Sequence, residues 1–131
     1  FNYRHMKKII NIKDAPQPIG PYSQAVLANG MLFISGQIPV DPYSGKLILE
    51  SIEKQTHQVI ANLKNILAEE SLGFKDVVKV SIFLADMNDF KTVNEIYASY
   101  FNEQPPARET VEVSKLPLNA AIEMSLIAIK Q

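Results

Sequence analysis

Two charged residues stand out by their surroundings. Arg108 opens ARETVEV (107–113), directly after Pro105 and Pro106, in a chain that carries 11 lysines and only two arginines. The other arginine, Arg4, falls in the leading FNYRHM, which reads as vector sequence ahead of a start at Met6. A guanidinium is a rigid planar fork that grips a carboxylate through two parallel hydrogen bonds, a geometry an ammonium cannot copy. Its use here points to a bound carboxylate or to an ion pair with a nearby acid, Glu109 or Glu112. Glu123 is the only charge in AAIEMSLIAI (120–129). Either it faces water at a sheet edge, or it sits in a dry pocket where burial raises its pKa and suits it to holding or activating a water.

Other polar groups could line a cleft with these two. Tyr22 ends a proline-rich loop, Ser35 and Gly36 end a strand, and Asn94 lies at the edge of a helical apolar face; each also has an ordinary structural reading. His57 sits off its helix's apolar stripe, beside Ala61 and Lys64, as a solvated histidine would. With no cysteine and no second histidine after Met6, there is little from which to build a transition-metal site or a serine–histidine–acid triad. The glycines form no phosphate-binding loop. Thirteen basic residues against 14 acidic ones give a net charge of −1, or −2 once Arg4 is set aside, and no basic stripe breaks that balance, which argues against nucleic acid as a partner. No apolar run approaches the roughly 20 residues that span a bilayer, and no signal-peptide pattern opens the chain. The absence of cysteine fits a reducing compartment, and a cytoplasmic location is the expectation.

The elements that must position these residues follow from the pattern of the chain. At 131 residues, one domain over 6–131 is expected. KKIINI (7–12) predicts a first strand, and DAPQPIGPY (14–22), with its prolines and glycine, predicts a loop. Asn29-Gly30 between two apolar runs predicts a hairpin of about 22–28 and 31–36. Ile52, Val59, Ile60, Leu63, Ile66 and Leu67 recur at helical spacing from Ser51 to about Glu70, with Ser51 expected to cap the start and Gly73 to close the end. VVKVSIFLA (77–85) predicts a central strand. A second helix over about 88–102 carries Phe90, Val93, Tyr97, Tyr100 and Phe101 on one face. ARETVEV alternates so that Arg108, Thr110 and Glu112 share one face, opposite Ala107, Glu109, Val111 and Val113. LPLN turns the chain into a last strand over 120–129. The result is an α+β two-layer domain, a mixed six-stranded sheet with two helices on one face. The other face stays apolar and uncovered, so a homo-oligomer is expected.

IGPYSQA (19–25), SGQIPVDPYSG (35–45), QTHQVIANLKNIL (55–67), DMNDFKTVNEIY (86–97), PARETVEVSKLP (106–117) and IEMSLIAI (122–129), in this order, resemble the RidA/YjgF/YER057c/UK114 family of reactive-intermediate deaminases. The resemblance implies a chorismate-mutase-like fold assembled as a homotrimer, with sheets at the centre, helices outside and clefts between subunits. It implies hydrolysis of 2-aminoacrylate, 2-iminobutanoate and 2-iminopropanoate to 2-keto acids and ammonia, without a cofactor or metal. By the same resemblance Arg108 binds the substrate carboxylate, Glu123 positions water, and Tyr22, Ser35, Gly36, Asn94 and Thr110 line the site, Thr110 standing where many members have cysteine. Two positions depart from the family pattern: Glu109 replaces a small residue and Ser125 replaces a second glutamate. Strand alternation predicts that Glu109 points away from Arg108. Two alternatives remain: a non-catalytic ligand-binding trimer, and an RNA-directed nuclease or translation inhibitor, against which the charge argues.

Overall fold

The computed structural model describes residues 6–131; the expected vector remnant at 1–5 lies outside them. Six strands, β1 (Lys8–Ile10), β2 (Ala25–Ala28), β3 (Met31–Gln37), β4 (Val77–Leu84), β5 (Ala107–Glu112) and β6 (Ile122–Ile129), form one sheet in the order β1-β2-β3-β6-β4-β5. Only the β4–β5 pair is parallel; the other neighbours run antiparallel. Two helices, α1 (Ile52–Glu69) and α2 (Phe90–Tyr100), supply the second layer. The mixed six-stranded α+β architecture is the expected one.

Local chemistry explains most boundaries. Asn29 and Gly30 both take positive φ (52° and 77°), as a two-residue hairpin turn of this kind requires. Ser51 caps α1, its Oγ accepting from the Lys54 amide at 3.1 Å. The other end corrects the expectation for Gly73, whose φ of −138° lies in the extended region. Ser71 takes the left-handed position instead (φ 59°), with its amide on the Ala68 carbonyl and the Leu72 amide reaching back to Leu67. Turning there lets Leu72 return to the core, a contact that a turn two residues later would forfeit.

The core lies between helices and sheet. Val59, Ile60, Leu63, Ile66 and Leu67 of α1 and Val93 and Tyr97 of α2 meet Leu32, Ile34, Val80, Ile82, Leu84, Ile122, Met124 and Leu126 of the sheet. Alternation leaves Phe33, Ile127, Lys79, Ser81, Phe83, Ser125 and Val111 on the opposite face, with Phe33 42% and Val111 41% exposed. No helix of the described residues covers that face.

Buried polar side chains tie the connecting loops to this frame. The Gln24 amide, 1% exposed, accepts from the Ile12 amide at 2.6 Å and donates to the carbonyls of Ile12, Ala15 and Pro16, fixing the proline loop. Asn62 Nδ2 donates to the Val40 carbonyl at 3.0 Å, holding the loop after β3. At the far end of α1 the Glu70 carboxylate is buried between Lys8 Nζ (2.8 Å) and Lys130 Nζ (3.0 Å), and these two hydrogen bonds hold its pKa below the ordinary carboxylate value.

A carboxyl whose pKa is lower folded than unfolded stabilises above the unfolded value, about 4.3, and loses that contribution as pH falls through the folded value. Glu70→Gln is expected to cost about 1 kcal/mol at pH 7, less than a fully buried pair because both lysines stay partly solvated. Denaturant unfolding from pH 7 to pH 3 should show the two proteins converging in acid.

Candidate active site

The predicted site residues fall into two groups. In the first, the chain leaves the tied-down proline loop at Tyr22 and enters the hairpin. β3 bulges at Ser35-Gly36: Ile34 opposes Leu126 and Gln37 opposes Met124, so two residues face the single Ser125. Ser35 is committed to the frame, its Oγ donating to the Ser23 carbonyl at 2.6 Å and its amide to the Gln24 carbonyl at 2.9 Å. Gly36 lies directly against Glu123. A Cβ at Gly36 would stand 2.5 Å from Glu123 Oε2, so only glycine leaves the carboxylate its room. Glu123 is half-buried, and none of the ion pairs among the described residues involves it. Loss of hydration raises its pKa above the ordinary carboxylate value. Tyr22, 49% exposed, and Gly36 border a mostly apolar cavity of about 260 Å³.

The second group gathers on β5. Arg108 opposes Val80, a buried core residue, and therefore points to the helix-covered side. Its Nη1 donates to Asn94 Oδ1 at 2.9 Å, and its Cζ lies 4.7 Å from the Tyr97 ring centroid and 5.7 Å from that of Phe90. Thr110, two residues along, shares this side, and its Oγ1 is buried without a hydrogen-bond partner among the described residues. Glu109 alternates to the opposite face, where it pairs with Lys79 at 2.9 Å and accepts from the Ser81 hydroxyl. Glu112 accepts from the Met87 amide. Both acids that could have neutralised Arg108 are thus engaged elsewhere, and the guanidinium has no ion pair among the described residues.

The two groups do not meet within one chain. Glu123 opposes Phe83 on the helix-free face, whereas Arg108 projects beneath α2 on the other. The alternation that makes Arg108 and Glu109 opposite also separates Arg108 from Glu123. Missed at the sequence level were the roles of Gln24, which is spent on the loop carrying Tyr22, and of Tyr97 and Phe90, whose spacing marked them only as core. His57 is exposed as expected, but its Nδ1 lies 2.7 Å from the Tyr100 hydroxyl on the outer side of the helices, away from both groups. No cluster of metal-ligating side chains occurs among the described residues.

The sequence profile described as Endoribonuclease L-PSP matches residues 12–130. The chain belongs to the Rid (Endoribonuclease L-PSP) family. A RutC family protein of Pyrococcus horikoshii is 51% identical, over 96% of this chain and the whole of the relative. Reactive Intermediate Deaminase A, chloroplastic, of Arabidopsis thaliana is 49% identical over 93% of this chain and 65% of the plant protein. Among solved structures of the Rid fold, E. coli TdcF with bound serine superposes with a TM-score of 0.89 at 38% identity, covering 95% of this chain and 99% of TdcF.

Glu123 has a raised pKa in the folded protein, so its ionisation opposes folding above that value and costs nothing below the unfolded value, about 4.3. Glu123→Gln should therefore melt at a higher temperature than the parent at pH 8, with the difference vanishing by about pH 4. Thermal unfolding across that range checks it.

Proposed function

We propose that the protein hydrolyses reactive 2-imino and enamine acids, such as 2-aminoacrylate, 2-iminobutanoate and 2-iminopropanoate, to 2-keto acids and ammonia. The observation that carries this reading is Arg108: a guanidinium fixed in position by Asn94 and two rings, yet without a carboxylate partner among the described residues. A side chain so arranged suits the carboxylate of a small substrate, bound through two parallel hydrogen bonds. Family membership and the plant relative's name agree with deamination at the level of the family.

Because Arg108 and Glu123 face opposite sides of the sheet, the reading needs a second copy. The apolar, helix-free face supplies the reason for association, and a homotrimer closed on that face would bring Glu123 of one copy towards Arg108 of the next. With the carboxylate held by Arg108, Glu123 takes a proton from water as the water oxygen adds to the imine carbon. The nitrogen is protonated, the resulting carbinolamine loses ammonia as its C–N bond breaks, and the carbonyl of the keto acid forms. A carboxyl whose pKa is raised by burial is a stronger base than an ordinary carboxylate and is suited to both accepting and returning that proton. Tyr22 and the Gly36 backbone close the site beside the carboxyl, and Thr110 offers a small hydroxyl beside the arginine. The proposed reaction needs no cofactor, and the absence of cysteine suits work in the reducing cytoplasm. The acidic charge balance gives no footprint for an RNA substrate.

When a serine or threonine dehydratase generates the imine in situ, the protein should accelerate release of keto acid and ammonia. Arg108→Ala should abolish the effect, and Arg108→Lys should lower kcat/KM by about ten- to a hundredfold, the share of a charge-assisted fork that an ammonium cannot supply. Absence of acceleration over a protein-free control would overturn the reading.

A further inference from the structure

Arg108 is gripped by one face of one helix. Phe90, Asn94 and Tyr97 stand at i, i+4 and i+7 of α2, the spacing that lines residues along a single stripe. Asn94 takes one N–H, and the guanidinium carbon lies over the Phe90 and Tyr97 rings, 5.7 and 4.7 Å from their centroids. Of the two rings Tyr97 is the firmer wall, being 5% exposed and stacked on Phe101, whereas Phe90 is 37% exposed. The Tyr97 hydroxyl is buried and has no hydrogen-bond partner among the described residues, so its interaction with Arg108 runs through the ring.

We propose that Tyr97 is a positioning residue for carboxylate recognition: its ring face sets the plane of the Arg108 guanidinium, with Phe90 as the outer, weaker wall. An arginine side chain has several rotatable bonds, and a fork already oriented before the substrate arrives loses little freedom on binding. One hydrogen bond to Asn94 fixes a single nitrogen and leaves the guanidinium free to swing about it. The Tyr97 ring removes that freedom while leaving the remaining N–H groups available. The pairing also explains why a full-sized aromatic with an unsatisfied hydroxyl occupies a core position of α2.

The proposal rests on the Arg108 reading above, and the test separates the two. The carboxylate probe is 2-oxobutanoate, titrated calorimetrically, alongside steady-state kinetics with the dehydratase-generated imine. Tyr97→Phe keeps the ring and should leave Kd and KM within about twofold of the parent. Tyr97→Leu should raise both by about five- to thirtyfold, the range of a partly to fully desolvated cation–ring contact, with kcat changed far less because ground and transition states lose the same carboxylate contact. Phe90→Leu, at a partly exposed position where folding is not at stake, should raise them about two- to threefold. Equal losses in Tyr97→Phe and Tyr97→Leu would overturn the proposal, as would parental affinity in both Tyr97→Leu and Phe90→Leu. If Tyr97→Leu fails to fold, parental affinity in Phe90→Leu, or a loss of about fivefold or more in Tyr97→Phe, overturns the proposal instead. Parental affinity in Arg108→Ala would instead overturn the carboxylate reading beneath it.

Discussion

Strand alternation is the constraint on which the rest of the molecule depends. Along β6 the residues Ile122, Met124, Leu126 and Ala128 enter the core, which obliges Glu123 to project from the other face. Along β5 the same rule sends Arg108 and Thr110 beneath α2 and Glu109 away from it. Neither placement can change without inverting a whole strand and exposing its apolar set, so the separation of Arg108 from Glu123 is as secure as the core itself. The helix-free face is the other consequence. Two helices cover one side only, and the residues left over, Phe33, Phe83, Val111 and Ile127, are ones that water does not favour.

Positioning within each group relies on contacts that tolerate little change. Glu123 stands where it does because the Ser35-Gly36 bulge brings a backbone without a side chain against its carboxylate. That bulge is anchored by Ser35, and the loop bearing Tyr22 is anchored by Gln24. On the other side, Arg108 depends on a helix whose residues at 90, 94 and 97 share one stripe. Glu109, the departure from the family pattern next to the arginine, lies two strands from Glu123, paired with Lys79 and accepting from the Ser81 hydroxyl. Ser81 lies in register between Glu109 and Ser125, so the two departures sit on either side of one residue in the same row of the sheet.

The fold was legible because its signals are local. Asn29-Gly30 encodes its turn through positive φ, the α1 stripe encodes a face, and ARETVEV encodes its own alternation. That alternation put Arg108 and Glu109 on opposite sides of their strand, while Glu123 stayed open between a water-facing edge and a dry pocket. The sequence could not place Arg108 relative to Glu123, because that depends on the register of β4 with β5 and β6, a long-range pairing. At the end of α1 the glycine at 73 suggests the left-handed residue, but packing of Leu72 against the core puts that turn on Ser71. Gln24 and Tyr97 were silent for a related reason: an amide in a strand-edge motif and an aromatic at core spacing reveal their partners only once the loop and β5 are packed beside them.

The central claim is that a working site is assembled from two copies, with Arg108 given by one and Glu123 by another. Mixing separately inactive Arg108→Ala and Glu123→Gln chains, unfolded together and refolded, tests it most directly. Random assembly into closed rings would pair an intact Arg108 with an intact Glu123 at about a quarter of the junctions, and about that fraction of parental imine hydrolysis should return. A mixture that stays as inactive as its components, while forming the same oligomer, would contradict the account.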